Sequence, residues 1–133
     1  MLFTELPLLD RPSATADAGF NAFEIRFPYD VPIDDLRKAK EAAKLDVILF
    51  NLPVGDFTNG GAGLAAIPGR EAHFRAGVAE AIMYAEALKP LAVNVLAGSP
   101  YPYMNKKACL KTLANNLNYA AHKFDTIGVS VLC

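Results

Sequence analysis

Short apolar runs alternate along the chain with longer segments of helical periodicity, and no other feature constrains the fold as strongly. Strand-like apolar runs cover residues 22–27, 45–52, 91–96 and 127–133. Between them, apolar residues recur at helical spacing over 32–44, 68–89 and 105–124, and a short helix is predicted over 8–18. Alternation of strands and helices predicts right-handed crossovers and a parallel sheet.

The spacing of the strands indicates the size of the complete fold. Strand centres near residues 25, 48, 94 and 131 imply roughly 35 residues per unit on average, and eight units would reach the ~250 residues of a full barrel. We therefore predict one incomplete α/β domain over residues 1–133, a partial (β/α)8 TIM barrel with about four to five parallel strands and outer helices. A five-stranded flavodoxin-like sheet is the alternative, although no phosphate-binding glycine turn follows the first strand.

Composition narrows the class of partner and the compartment. The 133 residues are 53% hydrophobic and 20% charged, as in a globular domain, and thirteen basic against fourteen acidic residues give a net charge of −1. This balance predicts neither nucleic acid nor an anionic membrane as partner. Charged residues interrupt the first twenty positions, so no signal peptide or membrane span is predicted there. Cys109 and Cys133 lack metal-ligand spacing, and two reduced thiols favour a cytoplasmic protein.

Polar residues at the ends of the predicted strands are the candidates for a substrate pocket. Glu24 and Arg26 stand two residues apart on one strand and therefore on one face. Asn51 ends the next strand, where barrel enzymes keep their chemistry, and Asn94 lies on the strand after it. Arg70 precedes a helix, where it could hold an anionic group together with the helix dipole. Ordinary structural roles, such as a strand-end turn for Asn51 and an exposed first turn for Arg70, are the alternatives.

The remaining motifs predict no metal site and no nucleophile. The glycine run at 60–63 lacks the Lys-Ser/Thr of a phosphate-binding loop and is interpreted as a mobile lid or a plain loop. His73 and His122 are the only histidines, and neither has a Cys, Asp or Glu at ligand spacing. No Ser-His-Asp or Cys-His arrangement can be assembled.

Several motifs, taken together, resemble the amino-terminal half of the hydroxypyruvate isomerase family, within the xylose isomerase-like barrels. They are Met-Leu-Phe-Thr-Glu-Leu-Pro-Leu-Leu at 1–9, Ala-Gly-Phe at 18–20, Phe-Glu at 23–24, Phe-Pro-Tyr-Asp at 27–30, Leu-Phe-Asn-Leu-Pro-Val-Gly-Asp at 49–56, Pro-Gly-Arg at 68–70 and Val-Leu-Ala-Gly at 95–98. The resemblance implies interconversion of hydroxypyruvate and tartronate semialdehyde, in which a carboxylate moves a proton beside a carbonyl with the help of Mg²⁺ or Mn²⁺.

The same resemblance limits which residues can be carried over. The family's metal-binding and acid–base carboxylates lie at the ends of strands five to eight, beyond Cys133, so no catalytic residue and no metal ligand is assigned. Glu24, Asn51, Arg70 and Asn94 are carried over as pocket-wall positions for a small hydroxy-keto acid or sugar. The expectation is an inactive fragment of an isomerase. The alternatives are a non-catalytic half-barrel that forms a homo-oligomer through exposed strand edges, and a fragment of a related sugar epimerase.

Overall fold

A computed structural model of the protein describes residues 3–133 as alternating helices and strands. Met1 and Leu2, which belong to the first motif of the family resemblance, lie outside the described residues. The elements are α1 (Arg11–Asp17), β1 (Ala22–Ile25), α2 (Ile33–Ala43), β2 (Asp46–Asn51), a 3₁₀ turn (Phe57–Asn59), α3 (Glu71–Leu88), β3 (Ala92–Asn94), α4 (Lys106–Asp125) and β4 (Ser130–Leu132).

The four strands form one parallel sheet in the order β1-β2-β3-β4. Along one line of the register Glu24 lies opposite Leu49, Leu49 opposite Ala92, and Ala92 opposite Ser130. The register shifts between Phe23 and Glu24, which leaves Ile48 without an opposing residue. This β-bulge interrupts the alternation of side chains within β2. After the extra residue, each side chain points to the face opposite to the one that unbroken alternation would give it.

Local sequence explains where the helices begin and end. Pro12 lies in the first turn of α1, where its missing N–H costs no hydrogen bond, and Gly19, at φ 85°, follows the end of the helix. The side chain of Asn105 caps α4 by accepting from the backbone N–H of Ala108 at 3.0 Å. Lys89 ends α3 in the left-handed conformation, and Pro90 follows it directly.

The hydrophobic core lies between the helices and one face of the sheet. In sequence order each helix packs beside the next. The core residues of the sheet are Ile25, Val47, Phe50 and Val93, and those of the helices include Leu36, Phe74, Val78, Leu88 and Phe124. We call the opposite side the inner face. It carries Glu24, which is exposed, and Leu49 and Asn51, which are half-buried.

The helices cover one face only, and the inner face has no second layer among residues 3–133. The predicted α/β fold, a partial barrel of parallel strands with outer helices, is confirmed with four strands. Among residues 3–133, no helix is both long and apolar enough to span a membrane.

Candidate functional site

Two asparagines form the centre of the polar cluster at the carboxyl ends of the strands. Asn51 ends β2 and Asn94 ends β3, and the parallel register places them directly opposite each other. The side-chain N–H of Asn94 donates to the side-chain oxygen of Asn51 at 2.9 Å. Both side chains are partly exposed on the inner face. The second N–H of Asn94 and the amide group of Asn51 are therefore oriented by a fixed partner and available to a ligand.

Glu24 and Arg26 extend this cluster onto the first strand. The backbone N–H of Asn51 donates to the carbonyl of Arg26 at 3.2 Å, so the end of β1 lies beside the end of β2. Glu24, Arg26 and Asn51 line a shallow depression of about 120 Å³ together with Ile25 and Leu49. The structure thus brings together three of the four predicted pocket residues: Glu24 and Asn51 share the depression, and Asn94 joins them through Asn51.

Tyr29 holds the main chain of Asn51 in place through a hydrogen bond. Its hydroxyl donates to the main-chain carbonyl of Asn51 at 2.8 Å, and its ring packs edge-on against Tyr84 and Phe50. Burial is the main cause that raises the pKa of Tyr29 far above its usual value, and the nearby charge of Glu80 adds to it. The hydroxyl therefore remains a donor at every ordinary pH. Tyr29 was missed as a supporting residue, although the Phe-Pro-Tyr-Asp motif contains it.

Arg70 lies in a different cluster, within the loop between β2 and α3. Its Nη1 atom lies 2.8 and 2.9 Å from the two carboxylate oxygens of Asp56 and donates to the carbonyl of Gly63 at 3.0 Å. None of its hydrogen bonds goes to Asn51 or Asn94. The Arg70 guanidinium, followed by the backbone N–H of Gly63, holds the pKa of the Asp56 carboxyl below its usual value. The role of Arg70 as a pocket residue stays a prediction.

The glycine-rich loop is tied down by main-chain hydrogen bonds. The N–H of Gly61 donates to the carbonyl of Asp56 at 2.9 Å, and the N–H of Gly63 donates to the Asp56 carboxylate at 3.1 Å. On its far side, the carbonyl of Ala62 accepts from the N–H of Ser99 at 2.9 Å. Ala62 and Gly63 are both buried. Of the two interpretations of this segment, these contacts favour an ordered loop over a mobile lid.

The residues of the polar cluster do not fit a divalent-cation site by themselves. Mg²⁺ and Mn²⁺ require several oxygen ligands, usually including more than one carboxylate. Glu24 is the one carboxylate among the clustered side chains, Arg26 follows it by two residues, and the Asn51 oxygen already accepts from Asn94. Nowhere in residues 3–133 do three or more His, Cys, Asp or Glu side chains come together in a way that could hold a metal ion.

The curated proteins that the chain resembles include a hydroxypyruvate isomerase and a 2-oxo-tetronate isomerase. Hydroxypyruvate isomerase of Escherichia coli K12 is 43% identical over 122 residues, which are 92% of this chain and 47% of that enzyme. The 2-oxo-tetronate isomerase of Haemophilus influenzae is 36% identical over 98% of this chain and 51% of its own length. The chain spans about half the length of the curated relatives that it matches.

Solved structures that resemble the chain cover nearly all of it. The crystal structure of AP endonuclease, family 2, from Brucella melitensis is 39% identical, with a TM-score of 0.90 over 97% of this chain and 50% of that one. D-allulose 3-epimerase from Methylomonas sp. has a TM-score of 0.74 at 14% identity over 93% of this chain and 43% of its own, which shows a shared fold alone. A family model described as xylose isomerase-like TIM barrel matches residues 12–133. The chain therefore belongs to the xylose isomerase-like TIM barrel family.

Proposed function

We propose that this chain is the amino-terminal half-barrel of an isomerase that acts on hydroxypyruvate or a closely related 2-oxo acid, and that it supplies the substrate-binding wall of the active site. The observation that carries the proposal is the hydrogen-bonded pair of Asn51 and Asn94 at the carboxyl ends of neighbouring parallel strands. That end of the strands is where barrel enzymes bind their substrates. The 43% identity to an Escherichia coli hydroxypyruvate isomerase supports the choice of reaction.

The chemistry of the cluster suits a small hydroxy-keto acid. Such a substrate carries hydroxyl and keto oxygens, which an oriented pair of amides can recognise by donating and accepting hydrogen bonds. It also carries a carboxylate, for which the exposed side chain of Arg26 is a suitable partner. Arg26 lines the same depression as Asn51, and the carbon at the centre of its guanidinium lies 5.6 Å from the centre of the Phe27 ring. Glu24 would orient a substrate hydroxyl. In this proposal the wall binds and orients the substrate.

The proton-transferring carboxylates and the Mg²⁺ or Mn²⁺ ion would be supplied from outside these 133 residues. Bound there, the ion would polarise the substrate oxygens during proton transfer. We assign no step of that transfer to the described residues, since their donor set does not hold such an ion. The expected isomerase activity of the chain alone is therefore nil.

A chimera tests the function most directly. The chain would replace the matching half of the Escherichia coli enzyme, which is 43% identical to it. We expect the chimera to isomerise hydroxypyruvate with added Mg²⁺ or Mn²⁺, and the 133-residue chain to show no turnover under the same conditions. A folded chimera that binds neither hydroxypyruvate nor 2-oxo-tetronate would contradict the proposal, and turnover by the chain alone would contradict the missing-carboxylate argument.

Titration of the isolated chain distinguishes the candidate substrates. Relatives include both hydroxypyruvate isomerases and 2-oxo-tetronate isomerases, and the two acids share the 2-oxo carboxylate. We expect hydroxypyruvate to shift the NMR signals of the Asn51 and Asn94 side-chain amides. Larger shifts at lower concentration of 2-oxo-tetronate would reassign the substrate. Shifts with D-allulose and with neither acid would favour the epimerase alternative.

A second candidate role concerns the edges of the sheet. In the described sheet β1 and β4 each pair on one side only. Unpaired strand edges readily take up a further strand. We propose that β1 and β4 are paired in the working protein, either by the remainder of a longer chain or by a second copy. Light scattering after size-exclusion chromatography tests the second copy: a dimer of the 133-residue chain supports it, and a stable monomer over a tenfold concentration range refutes it.

A further inference from the structure

The loop over residues 55–63 is closed on itself by one ion pair. Asp56 lies near its start, and its carboxylate receives Nη1 of Arg70 at 2.8 and 2.9 Å and the N–H of Gly63 at 3.1 Å. The same Nη1 donates to the carbonyl of Gly63 at 3.0 Å. Arg70 therefore binds the loop near its start, at Asp56, and at its end, at Gly63. A side chain at Gly61 would collide with the Asp56 carboxylate, because an added Cβ would lie 2.1 Å from its Cγ. The ion pair and the glycines therefore specify one loop conformation.

This closed loop packs directly against the turn that follows β3. A Cβ at Gly98 would lie 2.4 Å from the carbonyl oxygen of Ala62, and one at Gly63 would lie 3.2 Å from the Cα of Gly98. Two main-chain hydrogen bonds join the segments: Ser99 N–H to the Ala62 carbonyl at 2.9 Å, and Ala66 N–H to the Ala97 carbonyl at 3.0 Å. Two backbones in contact at glycines transmit a shift, since no flexible side chain lies between them.

The turn over residues 97–99 begins three residues after Asn94. The loop over residues 55–63, which packs against that turn, begins four residues after Asn51. The two connected segments are thus the continuations of the two strands whose ends carry the candidate amides.

We propose that Asp56 and Arg70 are positioning residues for the candidate site, which hold the loop at 55–63 against the turn at 97–99 and thereby fix the geometry of the Asn51–Asn94 pair. The inference rests on the proposed function for its consequence in substrate binding, but its structural half stands independently. It assigns to Arg70 a role through Asp56 and the loop, in place of direct contact with a substrate anion. Precise placement of binding groups matters because small displacements cost binding and rate steeply.

The test is Asp56→Asn in the 133-residue chain, followed by amide hydrogen exchange and by titration with hydroxypyruvate. The substitution keeps the size of the side chain and removes the charge that Arg70 binds. We expect exchange at the Ser99 and Ala66 amides to speed up by at least about tenfold, and the dissociation constant for hydroxypyruvate to rise several-fold. Exchange at the Val78 amide, in the middle of α3, should stay unchanged. The matched control is Asp34→Asn, because Asp34 pairs with Arg37 at 3.4 Å on the exposed surface of α2.

Two variants of Arg70 test the same ion pair from its basic partner. Arg70→Gln should reproduce the exchange pattern from the other side of the ion pair, and Arg70→Lys, which keeps the charge, should restore part of the protection. Unchanged exchange at Ser99 in Asp56→Asn relative to Asp34→Asn would overturn the proposal. Faster exchange with an unchanged dissociation constant would overturn the positioning role. If the wild-type chain binds no hydroxypyruvate, the proposed function fails, and the exchange data still decide whether the ion pair holds the turn.

Discussion

The hydroxyl of Tyr29 donates to the main-chain carbonyl of Asn51 across 22 positions of sequence, at 2.8 Å. Tyr29 belongs to the segment that follows β1, whereas Asn51 ends β2. The hydrogen bond therefore connects the end of one strand with the loop after its neighbour. The side chain of Asn51 also accepts from Asn94. Tyr29 therefore contacts the main chain of one of the two asparagines at the centre of the candidate site.

Tyr29→Phe should destabilise the protein by about 0.5–1.5 kcal/mol, since it removes one hydrogen bond while keeping the aromatic packing against Tyr84 and Phe50. Urea denaturation measures the free energy of unfolding. Tyr103→Phe is the control, because Tyr103 is 81% exposed and its loss of a hydroxyl should leave stability unchanged. Equal stabilities of the two variants would show that the Tyr29 hydrogen bond contributes nothing.

Stability should fall as the pH rises above about 10, the ordinary pKa of a tyrosine. The pKa of Tyr29 is raised in the folded state, chiefly by burial, and that of Tyr84 is raised for the same main reason. The unfolded chain then releases these phenol protons first, so the stabilisation is complete below the unfolded pKa and is lost as the pH rises towards the folded one. Urea denaturation at pH 9 to 11 should show a shallower loss for Tyr29→Phe than for the wild type. Parallel losses would contradict the assignment.

Asn94→Ala should weaken hydroxypyruvate binding about tenfold, because it removes one amide of the pair and frees the Asn51 side chain to rotate. The dissociation constant from an NMR titration of the 133-residue chain checks this. Asn115→Ala, at an exposed position of α4, is the matched control and should bind as the wild type does. An Asn94→Ala chain that binds hydroxypyruvate as tightly as the control would remove this residue from the substrate-binding wall.

Gly98→Ala should destabilise the protein by about 1–3 kcal/mol more than Gly60→Ala does. Both glycines have positive φ, 91° and 84°, so both substitutions carry the backbone strain of a left-handed conformation. Only the Gly98 substitution also drives a Cβ to 2.4 Å from the carbonyl of Ala62, whereas nothing lies within 4 Å at Gly60. Thermal unfolding of the two variants measures the difference, and similar values would mean that the loop moves away from the turn at little cost.

Much of the fold follows from local periodicity. The helix predicted over 32–44 is Ile33–Ala43, and that over 105–124 is Lys106–Asp125. Such boundaries depend on caps, prolines and the spacing of apolar residues, all of which lie within a few positions of the element itself. The family resemblance is also confirmed, by the family model that matches residues 12–133. The sequence could reveal it because the motifs that carry it are short and contiguous in the chain.

Contacts between distant segments were decided by the tertiary structure. On α4, Leu113 and Leu117 are half-buried, while the neighbouring Asn116 is only 2% exposed and its side chain donates to the carbonyl of Ala65 at 2.9 Å. A helical pattern cannot identify that partner, since it belongs to a loop 51 positions away.

The sequence by itself determined the order of strands and helices, their parallel arrangement and the strand ends at which polar side chains gather, because each depends on short-range patterns. Only the tertiary structure decided that Asn94 bonds to Asn51, since this pairing requires the register of β2 against β3. It likewise decided that Arg70 binds Asp56, fourteen positions earlier. A charged side chain will pair with whichever opposite charge the folded chain brings within reach, and only the folded backbone determines that distance.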